Sequence, residues 1–141
     1  MGVLVPELVK AVIDRAEDVL VVAKSGSVVG APTADQMKNG VVAIASAGQA
    51  AQERYMPLVH QQIGIRCVAL SEFEATKLGS LVYEVLHEKR RFVERQASSD
   101  QEFLVHFFSV SSGPSLTLGE TEDLKEITMI LETMVGTEAV S

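Results

Sequence analysis

The segment from Thr33 to Pro57 constrains this chain more than any other. Thr33 followed by Gln36 is a capping box, Asp35 stands in the favourable first turn, and Pro57 closes the run. The spacing predicts a helix from about Ala34 to Tyr55. Met37, Val41, Ile44, Ala45 and Gly48 make one apolar stripe along it, and Gly40, Ala43, Ala47 and Ala51 make a second stripe of small residues. The larger stripe suffices for the domain core, so the second apolar face needs another cover. That cover is either the parent sheet or a symmetry-related copy. On the latter reading Gly40, Ala43, Ala47 and Ala51 form a dimer interface, the same patch on both partners.

Around this segment the apolar periodicity alternates between helix and strand. Residues 5 to 16 read as an amphipathic helix with Pro6 in its first turn. Val19-Leu20-Val21-Val22-Ala23 is a continuous, largely β-branched run, the pattern of a strand covered on both faces. Ser25-Gly26-Ser27 then turns the chain into a return strand at Val28-Val29, which suggests a hairpin. Ile63 to Leu70 and Phe103 to Val110 are further strands, and Ser111 to Glu120 is a loop broken by Gly113-Pro114.

Residues 72 to 96 admit both periods. Ser71 and Glu74 form a capping box with a helical stripe at Leu78, Leu81, Val82, Val85 and Leu86, while Leu81, Tyr83 and Val85 also alternate. Local propensity from Glu84 to Arg95 favours helix. Thr121 caps a closing helix whose stripe is Leu124, Ile127, Ile130, Leu131 and Met134, with Gly136 as its stop. The expected fold is a single α/β sandwich over residues 1–141. Its largely antiparallel sheet of four to five strands is flanked by helices.

The charge balance narrows the partners. Nineteen acidic against twelve basic residues give a formal net charge of -7. Duplex binding needs a basic surface, and anionic lipid would repel this chain, so neither nucleic acid nor a membrane is an expected partner. No apolar run approaches the roughly 20 residues that span a bilayer. No basic-then-apolar leader precedes Pro6. The lone Cys67 cannot form an internal disulfide, which fits the cytoplasm.

Chemistry-bearing patterns are sparse. Glu84-Val85-Leu86-His87 has the Glu-x-x-His step of di-iron bundles but lacks its second copy. In His87-Glu88-Lys89-Arg90-Arg91 an arginine stands where a zinc protease needs its second histidine. Cys67 in an aliphatic strand reads as a small buried hydrophobe rather than a nucleophile. No glycine-rich phosphate loop or nucleophile elbow occurs. No catalytic, cofactor-binding or metal-ligating residue is therefore nominated. Lys89, Arg90, Arg91 and Arg95 form a basic island in an acidic chain, either a solvated helix face or a docking patch for an acidic partner.

The segment from Val19 to Tyr55 resembles the roadblock (dynein light-chain-like, roadblock/longin) family. The likeness rests on Val19-Leu20-Val21-Val22, the Ser25-Gly26-Ser27 turn, and the Ala- and Gly-rich run Val42-Ala43-Ile44-Ala45-Ser46-Ala47-Gly48. The strand Phe103 to Val110 with its following loop and closing helix also agrees, whereas the helical lean of residues 72 to 96 departs from the family pattern. The resemblance implies a non-enzymatic homo- or heterodimeric adaptor or scaffold for a small GTPase or a motor or signalling complex, without a cofactor. A small-molecule sensor domain is the alternative, motivated by the Phe-rich strand 103–110 beside a Ser/Gly loop.

Overall fold

The computed structural model describes residues 3–47, 51–52, 57–118 and 124–140. Along the chain run α1 (Val5–Asp14), α2 (Glu17–Val22), β1 (Ser27–Val29), α3 (Ala34–Asn39), β2 (Val41–Ser46), β3 (Ala51–Gln52) and β4 (Leu58–Ala69). α4 (Glu72–Leu86), β5 (Lys89–Gln96), β6 (Gln101–Leu118) and β7 (Lys125–Val140) follow. The strands form one sheet in the order β1-β2-β4-β7-β6-β5, with β3 also paired to β4. β1 runs parallel to β2 and the other pairs are antiparallel. The sheet is mixed and curls into a half-barrel, so the helix-flanked α/β sandwich of four to five strands is not the fold.

Three segments account for the difference. The predicted helix over 34–55 stops at Asn39, because Gly40 takes φ +87° as its cap and the chain leaves as β2. A Cβ on Gly40 would lie 2.7 Å from the Val22 carbonyl oxygen, so the position demands glycine for space as well as for conformation. Val41, Val42, Ala43 and Ile44 are buried in succession, as in a strand covered on both faces. Residues 48–50 and 53–55 of the predicted helix lie outside the described residues.

The β-branched run at 19–22 is helical instead, so no hairpin precedes β1. It begins with Glu17 and Asp18, which suit a helix N-terminus, and hides only Val19 fully. The predicted closing helix is β7, whose buried residues Ile127, Met129, Leu131, Thr133 and Val135 alternate along the strand. Its predicted cap, Thr121, lies outside the described residues. The predicted loop from Ser111 is strand as far as Leu118, carried past Gly113-Pro114 by register shifts.

Residues 72–96 satisfy both readings in turn. α4 is capped by the Ser71 hydroxyl, which accepts from Glu74 N–H at 3.1 Å, and β5 then follows. The capping box at Thr33 also forms, with Gln36 N–H donating to Thr33 Oγ1 at 3.2 Å and Thr33 N–H to Gln36 Oε1 at 2.8 Å.

The main core fills the inside of the curl. α1 contributes Val5, Leu8, Val9, Val12 and Ile13, and α4 contributes Ala75, Leu78, Val82 and Leu86. Each Val, Leu or Ile among them stabilises the fold by roughly 1.5–3 kcal/mol on burial. A smaller cluster of Met37, Val41, Val68 and Leu124 seals the outer corner beneath α3.

α1 is also tied to both ends of the sheet. Ser27 Oγ on β1 donates to Asp14 Oδ1 at 2.5 Å, and Lys10 Nζ donates to the Ser27 carbonyl at 3.0 Å. On the β5 side, Arg15 pairs with the buried Glu94 carboxylate, and Ser98 Oγ donates to Glu7 Oε2 at 2.7 Å.

α4 lies so close to β7 that a Cβ on Gly79 would sit 2.6 Å from Ile127 Cγ2 and 3.0 Å from Ile127 Cβ. Helix propensity alone would favour Gly79→Ala by about 1 kcal/mol. Overpacking against Ile127 opposes it by about 1–3 kcal/mol. We expect the variant to unfold at lower urea concentration than the parent. An unchanged or raised midpoint would show that the two elements separate freely.

Candidate functional site

Each residue nominated from the sequence has a defined place. Gly40 caps α3, Ala43 is buried in β2, Ala47 is exposed beyond the end of β2, and Ala51 lies in β3 opposite His60. They share no helix face, so the helical stripe on which the dimer reading was based is not formed. The basic island is not helical either. Lys89, Arg90, Arg91 and Arg95 lie on β5, an edge of the sheet, and Arg91 adopts φ +48°. Arg95 pairs with Asp100 at 2.8 Å, and Lys89 Nζ stands 5.1 Å from the centre of the Phe92 ring.

The expected helix face is therefore replaced by an irregular edge strand studded with cations. That arrangement also discourages indiscriminate strand pairing.

The candidate chemical groups are scattered. His87 caps the end of α4, stacks on Tyr83 with ring centres 4.5 Å apart, and accepts a hydrogen bond at Nδ1 from Val110 N–H at 3.1 Å. His60 and His106 lie on β4 and β6. Among the described residues, no group of three or more His, Cys, Asp or Glu side chains is placed to hold a metal ion. Phe103 and Phe108, the basis for expecting a ligand chamber, are packed into the core at 1% and 0% exposure.

A second surface is the outer face of the sheet, opposite α1 and α4. Strand alternation places Gln62, Gly64 and Arg66 of β4 there, beside Thr128, Ile130, Glu132 and Met134 of β7. Polar pairs cross it: Gln62 Nε2 donates to Glu132 Oε1 at 2.7 Å, and Arg66 reaches both oxygens of Glu126 at 2.7 and 3.1 Å. Between them Ile130, Met134 and Phe107 stay half-buried, Phe107 and Met134 directly opposite each other. This mixture of satisfied polar pairs and half-covered apolar side chains suits contact with another protein.

The second feature is length. β6 has 18 residues and β7 has 16, whereas β5 pairs only with Gln101–Phe108 of β6. At about 3.3 Å per residue, the ten residues of β6 beyond Phe108 reach roughly 30 Å along the strand direction. Residues 111–116 are all exposed, Leu116 among them. Beyond Phe108, β6 lies at the edge of the sheet and offers backbone and side chains to a neighbour, with β4 on the far side of its partner β7. The sequence signal for it was the alternation around Ile127 to Val135, which the apolar Ile130 and Met134 on the outer face disguise as a helical stripe.

Cys67 is fully buried on β4, and desolvation pushes its thiol from 9.0 up to about 12. The thiolate is then roughly one part in ten thousand at pH 8, against about a tenth for an unperturbed thiol of that pKa. We expect a disulfide-exchange reagent at pH 8 to leave the native chain unmodified while reacting at once in denaturant. Rapid stoichiometric reaction without denaturant would place Cys67 on an accessible surface.

No helix among the described residues is long and apolar enough to cross a membrane. No protein-family model and no curated protein sequence matches the chain. Among solved structures, the fold is similar to that of a chain in the virion of a native gene transfer agent (GTA) particle. The match has a TM-score of 0.67 and 11% sequence identity, and it covers 92% of this chain and 94% of that one.

Proposed function

We propose that this chain is a structural subunit of a phage-like particle, acting as a scaffold that joins other protein subunits rather than as a catalyst. The observation that carries the reading is the end-to-end likeness to a chain of a virion, with little of either chain left over. The outer sheet face and the edge of β6 beyond Phe108 supply contact surface of a suitable kind. A net charge of -7 favours contacts to protein over contacts to nucleic acid. The adaptor character expected from the sequence is kept in this form, with other copies or other particle proteins as partners. Synthesis in the cytoplasm accords with the buried free thiol of Cys67.

The test is co-fractionation. Particles released by the source cells are separated on a density gradient, and each fraction is analysed by mass spectrometry. The chain is expected in the particle fraction, at a fixed ratio to the other particle proteins through successive gradients. Its confinement to the free-protein fractions would overturn the proposal.

A second measurement addresses the surface. Met134→Glu puts a charge among half-buried apolar neighbours on the outer face without entering the main core. We expect it to reduce incorporation into particles at least about tenfold while leaving the circular dichroism spectrum unchanged. Full incorporation would remove the outer face from the contact.

A further inference from the structure

The three most exposed of the exposed large apolar side chains are Phe73 (76%), Val21 (72%) and Leu70 (50%). All three line a single groove of about 390 Å³ between α2, α3 and the start of α4. Lys24, Lys38 and Lys77 line the same groove, and Glu74 is the one carboxylate among its lining residues. Three of the twelve basic residues of an acidic chain thus converge on the three most exposed large apolar side chains among the described residues. None of these three lysines has an ion-pair partner among the described residues.

Neither half of this arrangement serves the fold. Val21, Leu70 and Phe73 stand outside both core clusters, and an unpaired surface lysine contributes little to stability. Together they are complementary to one chemistry: an apolar side chain to enter between Val21, Leu70 and Phe73, with carboxylates around it to meet the lysines. A nucleic acid would satisfy the cations and leave the apolar floor unused. A neutral apolar ligand would do the reverse.

We infer that this groove docks an acidic segment of another protein that carries a large apolar side chain at its centre. The apolar anchor supplies most of the affinity, and the lysines supply orientation and rate of encounter. Rejection of basic and neutral segments follows, because each lysine left facing a cation is penalised. This inference uses none of the observations behind the particle reading and stands apart from it.

The probe is a fluorescein-labelled peptide of about ten residues with glutamates on both sides of a central Leu-Phe pair. It is titrated with the full chain and followed by fluorescence anisotropy at low and high salt. Its counterparts have glutamine for glutamate, or alanine for the Leu-Phe pair. We expect saturable binding of the acidic apolar peptide, weakened by salt, and at least about tenfold weaker binding of both counterparts. Lys38→Glu/Lys77→Glu and Phe73→Ser should each lower affinity at least about tenfold. All three positions are exposed, so the variants should melt with the parent.

Equal binding of the glutamine peptide, or undiminished binding by either variant, would overturn the inference. So would failure of any peptide to bind. If the same variants instead change the sedimentation coefficient of the chain alone, the groove belongs to a second copy and the inference falls. It falls equally if they abolish co-sedimentation with phosphatidylglycerol vesicles while peptide binding is absent.

Discussion

The structure depends on one constraint: a curled sheet has two edges that must be held at a fixed separation, and α1 holds them. Its five buried aliphatic side chains fill the curl, while Asp14 and Lys10 reach β1 and Arg15 and Glu7 reach β5 or the turn after it. Glu94 shows the cost of the arrangement. A carboxylate at 5% exposure persists only because the Arg15 guanidinium stands against it, and losing one partner of a buried pair is far worse than never having had the pair. With the inside of the sheet occupied by helices, recognition is left to the outer face, the strand edges and the grooves between helices.

How much of this was legible in the sequence depends on how many demands each residue meets. α1 and the start of α3 and α4 follow from local rules, since Pro6, Thr33 and Ser71 act through neighbours one turn away. β4 and the first part of β6 carry enough consecutive apolar residues to be recognised, although their ends are not. The failures come where tertiary contact overrides local preference. Ala43, Ala45 and Ala47 favour helix intrinsically, yet a single glycine at a positive φ redirects the chain and pairing with β4 then decides its state.

β7 failed for a different reason. Its two faces are both partly apolar, so Ile130 and Met134 break the period of two that Ile127, Met129 and Leu131 keep. Candidate site residues were read poorly for the same cause. The small-residue stripe presupposed a helix, and only the chemistry of the basic island survives its move onto an edge strand. The groove of Val21, Leu70, Phe73 and the three lysines had no sequence signal, because its members come from α2, α3, α4 and the turns between them.

The place of β7 has a further consequence. β7 follows the other six strands along the chain yet sits in the middle of the sheet, hydrogen-bonded to β4 on one side and β6 on the other. A ribosome-bound chain that stops short of Lys125 holds two separate fragments, β1-β2-β4 and β6-β5, with no strand to join them. Folding to the complete half-barrel therefore waits for β7 to emerge, and contacts of long sequence separation make that step slow. Loss of this one strand would divide the molecule in two.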